Sequence, residues 1–151
     1  MLTPARRLRL LMNLWPPFLC TGIRVLRLDE DFRHARVRLS ARWYNRNYVG
    51  THFGGSLFAM TDPFLMLMTL HVLGRDYLVW DSAAEISFLK AVREDVFAEF
   101  HLDDTALDEM RAASADGQRH LRWFDVDVTT ATGDLVARVR KQIYVRLKPQ
   151  K

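Results

Sequence analysis

The feature that most constrains the fold is a long apolar segment, residues 54–73, whose side chains are apolar on nearly every side of the helix they predict. Such a helix must be surrounded by other elements, because any uncovered face would leave apolar surface in water. Pro63 interrupts the segment. It has no N–H, so it should leave the carbonyl of Ala59 unpaired and kink the helix, and Gly74 should end it.

A single charged residue, Asp62, lies in the middle of this apolar segment. An ionised carboxylate is too unfavourable to bury alone, so it pairs, accepts hydrogen bonds or holds a proton. Asp62 is therefore either a hydrogen-bonded structural acid or a functional group. Together with Pro63 it also argues against a membrane span and for a core helix.

Patterns typical of β-strands lie on both sides of the helix. Residues 22–28 and 33–40 alternate in side-chain type around a polar turn at 29–31, which predicts a β-hairpin. Residues 77–91 and 95–102 have the β-branched and aromatic spacing of two further strands. These segments can supply a sheet that covers the helix.

The C-terminal hairpin has the most specific pattern in the chain. With a two-residue turn at Thr132-Gly133, opposite charges meet on one face of the hairpin and apolar residues meet on the other. The pairs are Asp127 with Arg138, Asp125 with Arg140, Val126 with Val139, and Val128 with Ala137. A slip of one residue would break both sets of pairs.

Two shorter helices complete the predicted order. Thr3 can cap a helix that ends at the prolines 16–17, and Asp104 or Thr105 can cap another with Leu107 on its apolar stripe. The order is then helix, two strands, long helix, and four strands with a short helix between the second and third. This is an α+β fold in which a mostly antiparallel sheet curls around one central helix, the hotdog architecture.

Composition adds limits on size, metal content and location. The chain has 151 residues and 49% hydrophobic content, so we expect a single domain over residues 1–151. The only cysteine, Cys20, can form neither an internal disulfide nor a cysteine zinc site, so we predict no metal and a cytoplasmic protein. The net charge is +4, but the arginines are scattered, which disfavours a nucleic-acid-binding module.

The loop before the central helix and the helix itself carry a motif formed by Asn47, Gly50, Thr51, Gly54, Gly55 and Asp62. It resembles that of the hotdog-fold acyl-CoA thioesterases of the phenylacetate-pathway type, and Phe88-Leu89-Lys90 resembles that family's Phe-Leu-Arg segment. Two positions depart from the motif: Phe53 stands where the family has histidine, and Pro63 follows the acid. The added N-terminal helix resembles a less characterised branch of the superfamily.

The resemblance implies an enzyme that hydrolyses an acyl-CoA thioester, without a cofactor beyond the coenzyme A of the substrate. Backbone N–H groups at Gly54 and Gly55 would polarise the thioester carbonyl. Asp62 would be general base or nucleophile, opposite a neighbouring subunit's turn, and Asn47 would orient the water or the carbonyl. A dimer with shared sites, or a tetramer, is implied. Substrate-binding residues would be Thr51, His52, Phe53 and Phe58, with Lys90 and Arg93 near the coenzyme A phosphates.

Several of these residues also have a structural interpretation. The glycine pair could let the helix pack close to the sheet, Asn47 could be a turn residue, and His52 could be a hydrogen-bonded loop histidine. Two alternative functions stay open as well. One is a non-catalytic acyl-CoA-binding hotdog protein, because the motif has two departures. The other is a hotdog 3-hydroxyacyl thioester dehydratase, in which a histidine works with the helix acid.

Overall fold

The computed structural model describes residues 2–149, and its main element is a six-stranded antiparallel sheet. The strands lie in the order β1-β2-β4-β5-β6-β3. Both the number of strands and their order along the chain confirm the prediction. The strands are β1 (Ile23–Leu28), β2 (His34–Leu39), β3 (Tyr77–Phe88), β4 (Val96–His101), β5 (His120–Thr130) and β6 (Leu135–Leu147).

Five α-helices accompany the sheet in the described residues. Thr3 caps the first helix as predicted, and its side chain accepts a hydrogen bond from the N–H of Arg6 at 3.4 Å. A short helix follows directly after it. The helices are α1 (Pro4–Leu14), α2 (Pro16–Leu19), α3 (Gly54–Ala59), α4 (Phe64–Leu73) and α5 (Asp104–Ala113).

The central segment is broken in two rather than kinked. Helix α3 ends at Ala59 and α4 begins at Phe64, with Asp62 in the turn between them. The carbonyl of Ala59 accepts a hydrogen bond from the N–H of Asp62 at 3.1 Å, so the prediction that this carbonyl is unpaired was wrong. The turn satisfies the group that Pro63 cannot reach. By length and composition the segment could cross a membrane, but 44% of its most apolar window is buried within the fold.

An aromatic column fixes the central helix on the sheet. The ring of Phe64 in α4 lies 5.9 Å from that of Phe18 in α2 and 4.8 Å from that of Phe100 in β4, and all three side chains are buried. Offset aromatic contacts of this kind add to the apolar area that the rings bury. The helix is therefore covered by the sheet on one side and by the N-terminal helices on another, as an all-apolar helix requires.

The C-terminal hairpin has the predicted register but a different turn. All four predicted pairs are present. The turn contains three residues, because the N–H of Thr130 donates to the carbonyl of Asp134 at 2.9 Å, and Val136 is an extra residue that restores the register. The carbonyl of this bulged Val136 accepts hydrogen bonds from Leu89 and Lys90 at 2.9 and 3.0 Å. Strand β3 ends at Phe88, three residues before the predicted end, and this contact lies just beyond it.

The cap of helix α5 was predicted wrongly by one or two residues. The capping residue is Asp103, whose Oδ1 accepts a hydrogen bond from the N–H of Ala106 at 2.7 Å. Asp104 instead pairs with Arg33, with 2.8 Å between the guanidinium nitrogen and the carboxylate. Both acids suit a first helical turn, and the sequence did not distinguish which one caps.

Asp103→Ala is expected to lower the free energy of unfolding by about 1 kcal/mol, because the N–H of Ala106 loses its acceptor. Denaturant unfolding followed by circular dichroism measures the change. Asp104→Ala is the matched control: it removes an ion pair whose carboxylate is 82% exposed, so its loss should be smaller. Equal losses in the two variants would contradict the cap assignment.

Candidate functional site

A lysine and two aspartates meet where the break in the central helix faces strands β3 and β6. The Nζ atom of Lys141 lies 2.7 Å from Oδ1 of Asp62 and 3.3 Å from Oδ1 of Asp81. The lysine side chain is 3% exposed and the Asp62 side chain 51% exposed. We refer to these three residues as the carboxylate–lysine cluster. A cation this deeply buried is tolerated only when acids surround it.

The strands explain why these side chains point inward. Along β6, Val139, Lys141 and Ile143 alternate on the buried face of the strand. On β3 the pairing with β6 shifts between Asp81 and Ala83, so that one extra residue is inserted directly after Asp81. Bulges of this kind change the direction of nearby side chains and are common beside functional sites.

Electrostatics differ between the two acids of the cluster. Burial raises the pKa of Asp81, the charge of Lys141 opposes this effect, and the nearby charge of Asp62 adds to it. Asp62 takes the shorter contact with the lysine and reaches solvent. The cluster thus combines one buried cation with an acid that burial drives toward its neutral form and another that is open to a ligand.

A cavity of about 440 Å³ opens onto the cluster. Its volume lies within the range of small-molecule sites. Gly55 and Phe58 of α3 line it together with the cluster, and the Phe58 ring centre lies 5.8 Å from the Lys141 ammonium. Asp62, Gly55 and Phe58, three of the residues predicted for the site, therefore share one cavity.

A second cavity, of about 400 Å³, lies beside the loop that precedes α3. Its lining includes five further residues predicted for the site: Asn47, Thr51, His52, Gly54 and Lys90. Eight of the ten predicted site residues are thus divided between two cavities within one chain, and Gly54 and Gly55 line different ones. Phe53 and Arg93 line neither cavity.

Asn47 uses its polar atoms within the loop. Its Nδ2 donates to the Thr51 hydroxyl at 2.8 Å and to the His52 carbonyl at 3.1 Å. Its Oδ1 accepts from the N–H groups of Val49 and Thr51, both at 3.1 Å. These contacts are those of a turn residue, so the prediction that Asn47 orients a water or the thioester carbonyl stays a prediction.

His52 is buried and hydrogen-bonded. Its Nε2 lies 2.7 Å from the carbonyl of Glu94, so this nitrogen carries the proton and donates, while Nδ1 has no partner within the described residues. The contact matches the interpretation of a hydrogen-bonded loop histidine. It also ties the Nε2 proton of His52 to the backbone, away from Asp62.

The glycine pair lies beside aromatic rings and not beside the sheet backbone. A Cβ on Gly54 would come within 2.9 Å of the Phe88 ring, and one on Gly55 would meet the Phe53 ring. Both rings are more than half exposed and can move, so close packing of the helix does not require these glycines. The N–H groups of Gly54 and Gly55 have no acceptor among the described residues, which leaves two donors at the helix start.

The two predicted phosphate-binding residues are exposed and have partners. The Lys90 ammonium lies 2.6 Å from Oδ2 of Asp134, and Arg93 donates to the carbonyl of Val49 at 3.4 Å. Exposed ion pairs of this kind are weak and can exchange for a stronger anion. Neither contact tests a role in binding coenzyme A.

Sequence reasoning missed Lys141 and Asp81. Lys141 could have been found, because the strand alternation that places Val139 and Ile143 inward also places the lysine between them inward. Asp81 had no comparable signal, because the irregularity beside it in β3 is visible only in the pairing with β6.

Comparison with known proteins places this geometry in a family and a fold. The family profile described as a domain of unknown function, DUF4442, matches residues 5–145. No curated protein matches the sequence significantly. The structure is similar to those of solved proteins, several of which are described as thioesterases.

A Pseudomonas aeruginosa protein of unknown function, described as a probable thioesterase, has 17% identity and a TM-score of 0.82, with 97% of this chain and 98% of that chain covered. A thioesterase from Haemophilus influenzae has 15% identity, a TM-score of 0.69 and coverages of 99% and 95%. Thioesterase superfamily member 2 from Mus musculus has 17% identity, a TM-score of 0.66 and coverages of 95% and 98%. At these identities the similarity shows the fold, and the predicted hotdog fold is confirmed.

Proposed function

We propose that this chain, which belongs to the DUF4442 family of domains of unknown function and has the hotdog fold of the thioesterase superfamily, hydrolyses an acyl-CoA thioester to a free acid and coenzyme A. The observation that carries the proposal is Asp62, an accessible carboxylate in the turn that breaks the central helix, with a buried lysine 2.7 Å away. A carboxylate that reaches solvent can act as a general base toward a bound water.

The proposed reaction needs a polarised carbonyl and an activated water. The free N–H groups of Gly54 and Gly55 would donate to the thioester oxygen and stabilise the negative charge that develops on it. Asp62 would remove a proton from the attacking water, or attack the carbonyl itself. On the general-base route, collapse of the tetrahedral intermediate would break the carbon–sulfur bond, and the departing thiolate would take up the proton from Asp62. On the nucleophilic route, loss of the thiolate would leave a mixed anhydride on Asp62, and water would then hydrolyse it to release the acid and a proton for the thiolate.

We propose that two chains share each site. Strand β3 lies at the edge of the sheet and exposes large apolar side chains, with Trp80 44% exposed and Phe88 58% exposed. An edge with such residues favours association with a second copy, as a dimer or a tetramer. Association there would bring the carboxylate–lysine cluster of one chain toward the helix start of the other. A monomer mass by light scattering would rule out a shared site.

The remaining predicted residues would bind the substrate. Phe53 and Phe58 offer apolar surface to the acyl group, while Thr51 and His52 help to shape the loop. Lys90 and Arg93 would bind the coenzyme A phosphates, since both are exposed basic residues near that loop. We propose that the enzyme is cytoplasmic, that its substrate is an acyl-CoA and that it uses no further cofactor.

A panel of acyl-CoA thioesters of varied length and polarity, scored by release of free thiol, tests the proposal. We expect release well above the rate without enzyme for at least one substrate. If all substrates bind without thiol release, the chain is an acyl-CoA-binding protein. If a 3-hydroxyacyl thioester is dehydrated by the wild type and by Asp62→Asn but not by His52→Ala, the chain is a dehydratase.

A further inference from the structure

Two histidines and a glutamate converge at the end of strands β2 and β4. His34 and His101 lie directly opposite each other in the antiparallel pair, and their rings stack with centres 4.5 Å apart. The Oε2 atom of Glu99 lies 3.3 Å from Nε2 of His34 and 3.7 Å from Nε2 of His101. Each residue thus offers one ligand atom, and the three atoms lie within 4.8 Å of one another.

We propose that His34, Glu99 and His101 form a binding site for a divalent transition-metal cation such as Zn²⁺. Two imidazole nitrogens and one carboxylate oxygen are ligands that Zn²⁺ prefers, and three protein ligands leave a fourth position for water. The metal would join β2 to β4. This proposal does not depend on thioester hydrolysis.

The sheet places these side chains together on its outer face. Along β4 the buried residues alternate with exposed ones, and both Glu99 and His101 belong to the exposed series. His34 of β2 pairs with His101 of β4, so the two side chains lie on the same face of the sheet. Ligands held on paired strands are more rigidly placed than ligands on loops, so little conformational entropy is lost when a metal binds.

Neighbouring charges orient two of the three ligands. The Arg36 guanidinium lies 3.3 Å from Oε1 of Glu99 and pairs with this oxygen. The other oxygen, Oε2, faces the two histidines. The other ring nitrogen of His34, Nδ1, lies 3.9 Å from a carboxylate oxygen of Asp29. With a metal on Nε2, Nδ1 would carry the proton and face this carboxylate, as in metal-binding histidines.

The positive charge of Arg36 is the main feature that opposes a cation here. Its guanidinium carbon lies 5.0 Å from the centre of the Phe97 ring and its Nε pairs with Glu99, so part of this charge is already balanced. Without a metal, one carboxylate oxygen faces two imidazole nitrogens. Of these, Nε2 of His34 lies within hydrogen-bond distance of that oxygen, and a metal cation would take the place of the shared proton. The prediction of no metal rested on the single cysteine, Cys20, and no local spacing indicated this site, because His34 and His101 are far apart in the chain.

Titration of the untagged full chain with Zn²⁺, followed by calorimetry, tests the site. We expect one Zn²⁺ per chain, with affinity at least about tenfold weaker in Glu99→Gln and in His101→Ala. His120→Ala is the matched control. His120 also faces a glutamate, with 3.2 Å between its Nε2 and Glu109, so its removal tests whether any histidine–glutamate pair suffices. The control should bind Zn²⁺ as the wild type does.

Thermal unfolding gives a second readout. Zn²⁺ should raise the midpoints of the wild type and of His120→Ala by more than those of Glu99→Gln and His101→Ala, because a ligand that binds only the folded state stabilises it more when it binds more tightly. The substituted side chains lie on the outer face, and unfolding in the absence of metal shows that each variant is folded. Absence of Zn²⁺ binding to the wild type, or affinity equal to that of the wild type in Glu99→Gln and His101→Ala, would overturn the proposal.

Discussion

Asp62→Asn is expected to lower kcat/KM for thioester hydrolysis by about 10²–10⁴-fold, the range that a general acid or base contributes. The amide has nearly the same size and can still accept the hydrogen bond that Lys141 gives at 2.7 Å. It cannot take a proton from water or attack a carbonyl. The initial rate of thiol release, measured on the best substrate of the acyl-CoA panel, reads the change directly.

Asp81→Asn is the matched control for this experiment. It removes the other acid of the cluster and keeps Asp62 beside Lys141. Because burial raises the pKa of Asp81, a neutral amide is close to the form that burial favours, and we expect a much smaller loss of activity. Equal losses in the two variants would mean that the acids act together. No loss in Asp62→Asn would contradict its role in the reaction.

The fold could be predicted because its signals are local and repeated. The apolar helix required a cover, and the hairpin at the C-terminus fixed its own register through the pairs Asp127–Arg138 and Val126–Val139, which the structure has. The turn was wrong because charge and apolar pairs specify the strands and not the loop that joins them. An extra residue at Val136 let a three-residue turn keep the same register.

The candidate site was predictable only in part. Asp62 was recognisable as a lone acid in an apolar segment, but its partner Lys141 is 79 residues away in the chain. No local pattern joins the two residues. The break at Pro63 was likewise underestimated, because a proline inside a helix predicts a kink, and whether the chain bends or stops depends on the hydrogen bonds available around it.

Lys141→Met is expected to lower both the stability and the activity of the protein. Methionine fills a similar volume, but Asp62 and Asp81 then lose the buried cation that lies between them. Breaking a fully buried pair costs about 3–5 kcal/mol. We expect a smaller loss in the free energy of unfolding here, because Asp62 is 51% exposed and water can reach it. Denaturant unfolding at neutral pH measures this loss.

The pH dependence of the Lys141→Met variant separates a functional lysine from a structural one. Without the cation the pKa of Asp81 rises further, and if the reaction needs an ionised carboxylate in the cluster, the pH below which activity falls should move upward relative to the wild type. The double variant Lys141→Met with Asp81→Asn removes the repulsion between the two acids and should recover part of the stability. If Lys141→Met loses stability but keeps the wild-type pH profile, the lysine only supports the fold. A shifted profile in both the single and the double variant would assign Lys141 to the ionisation of Asp62.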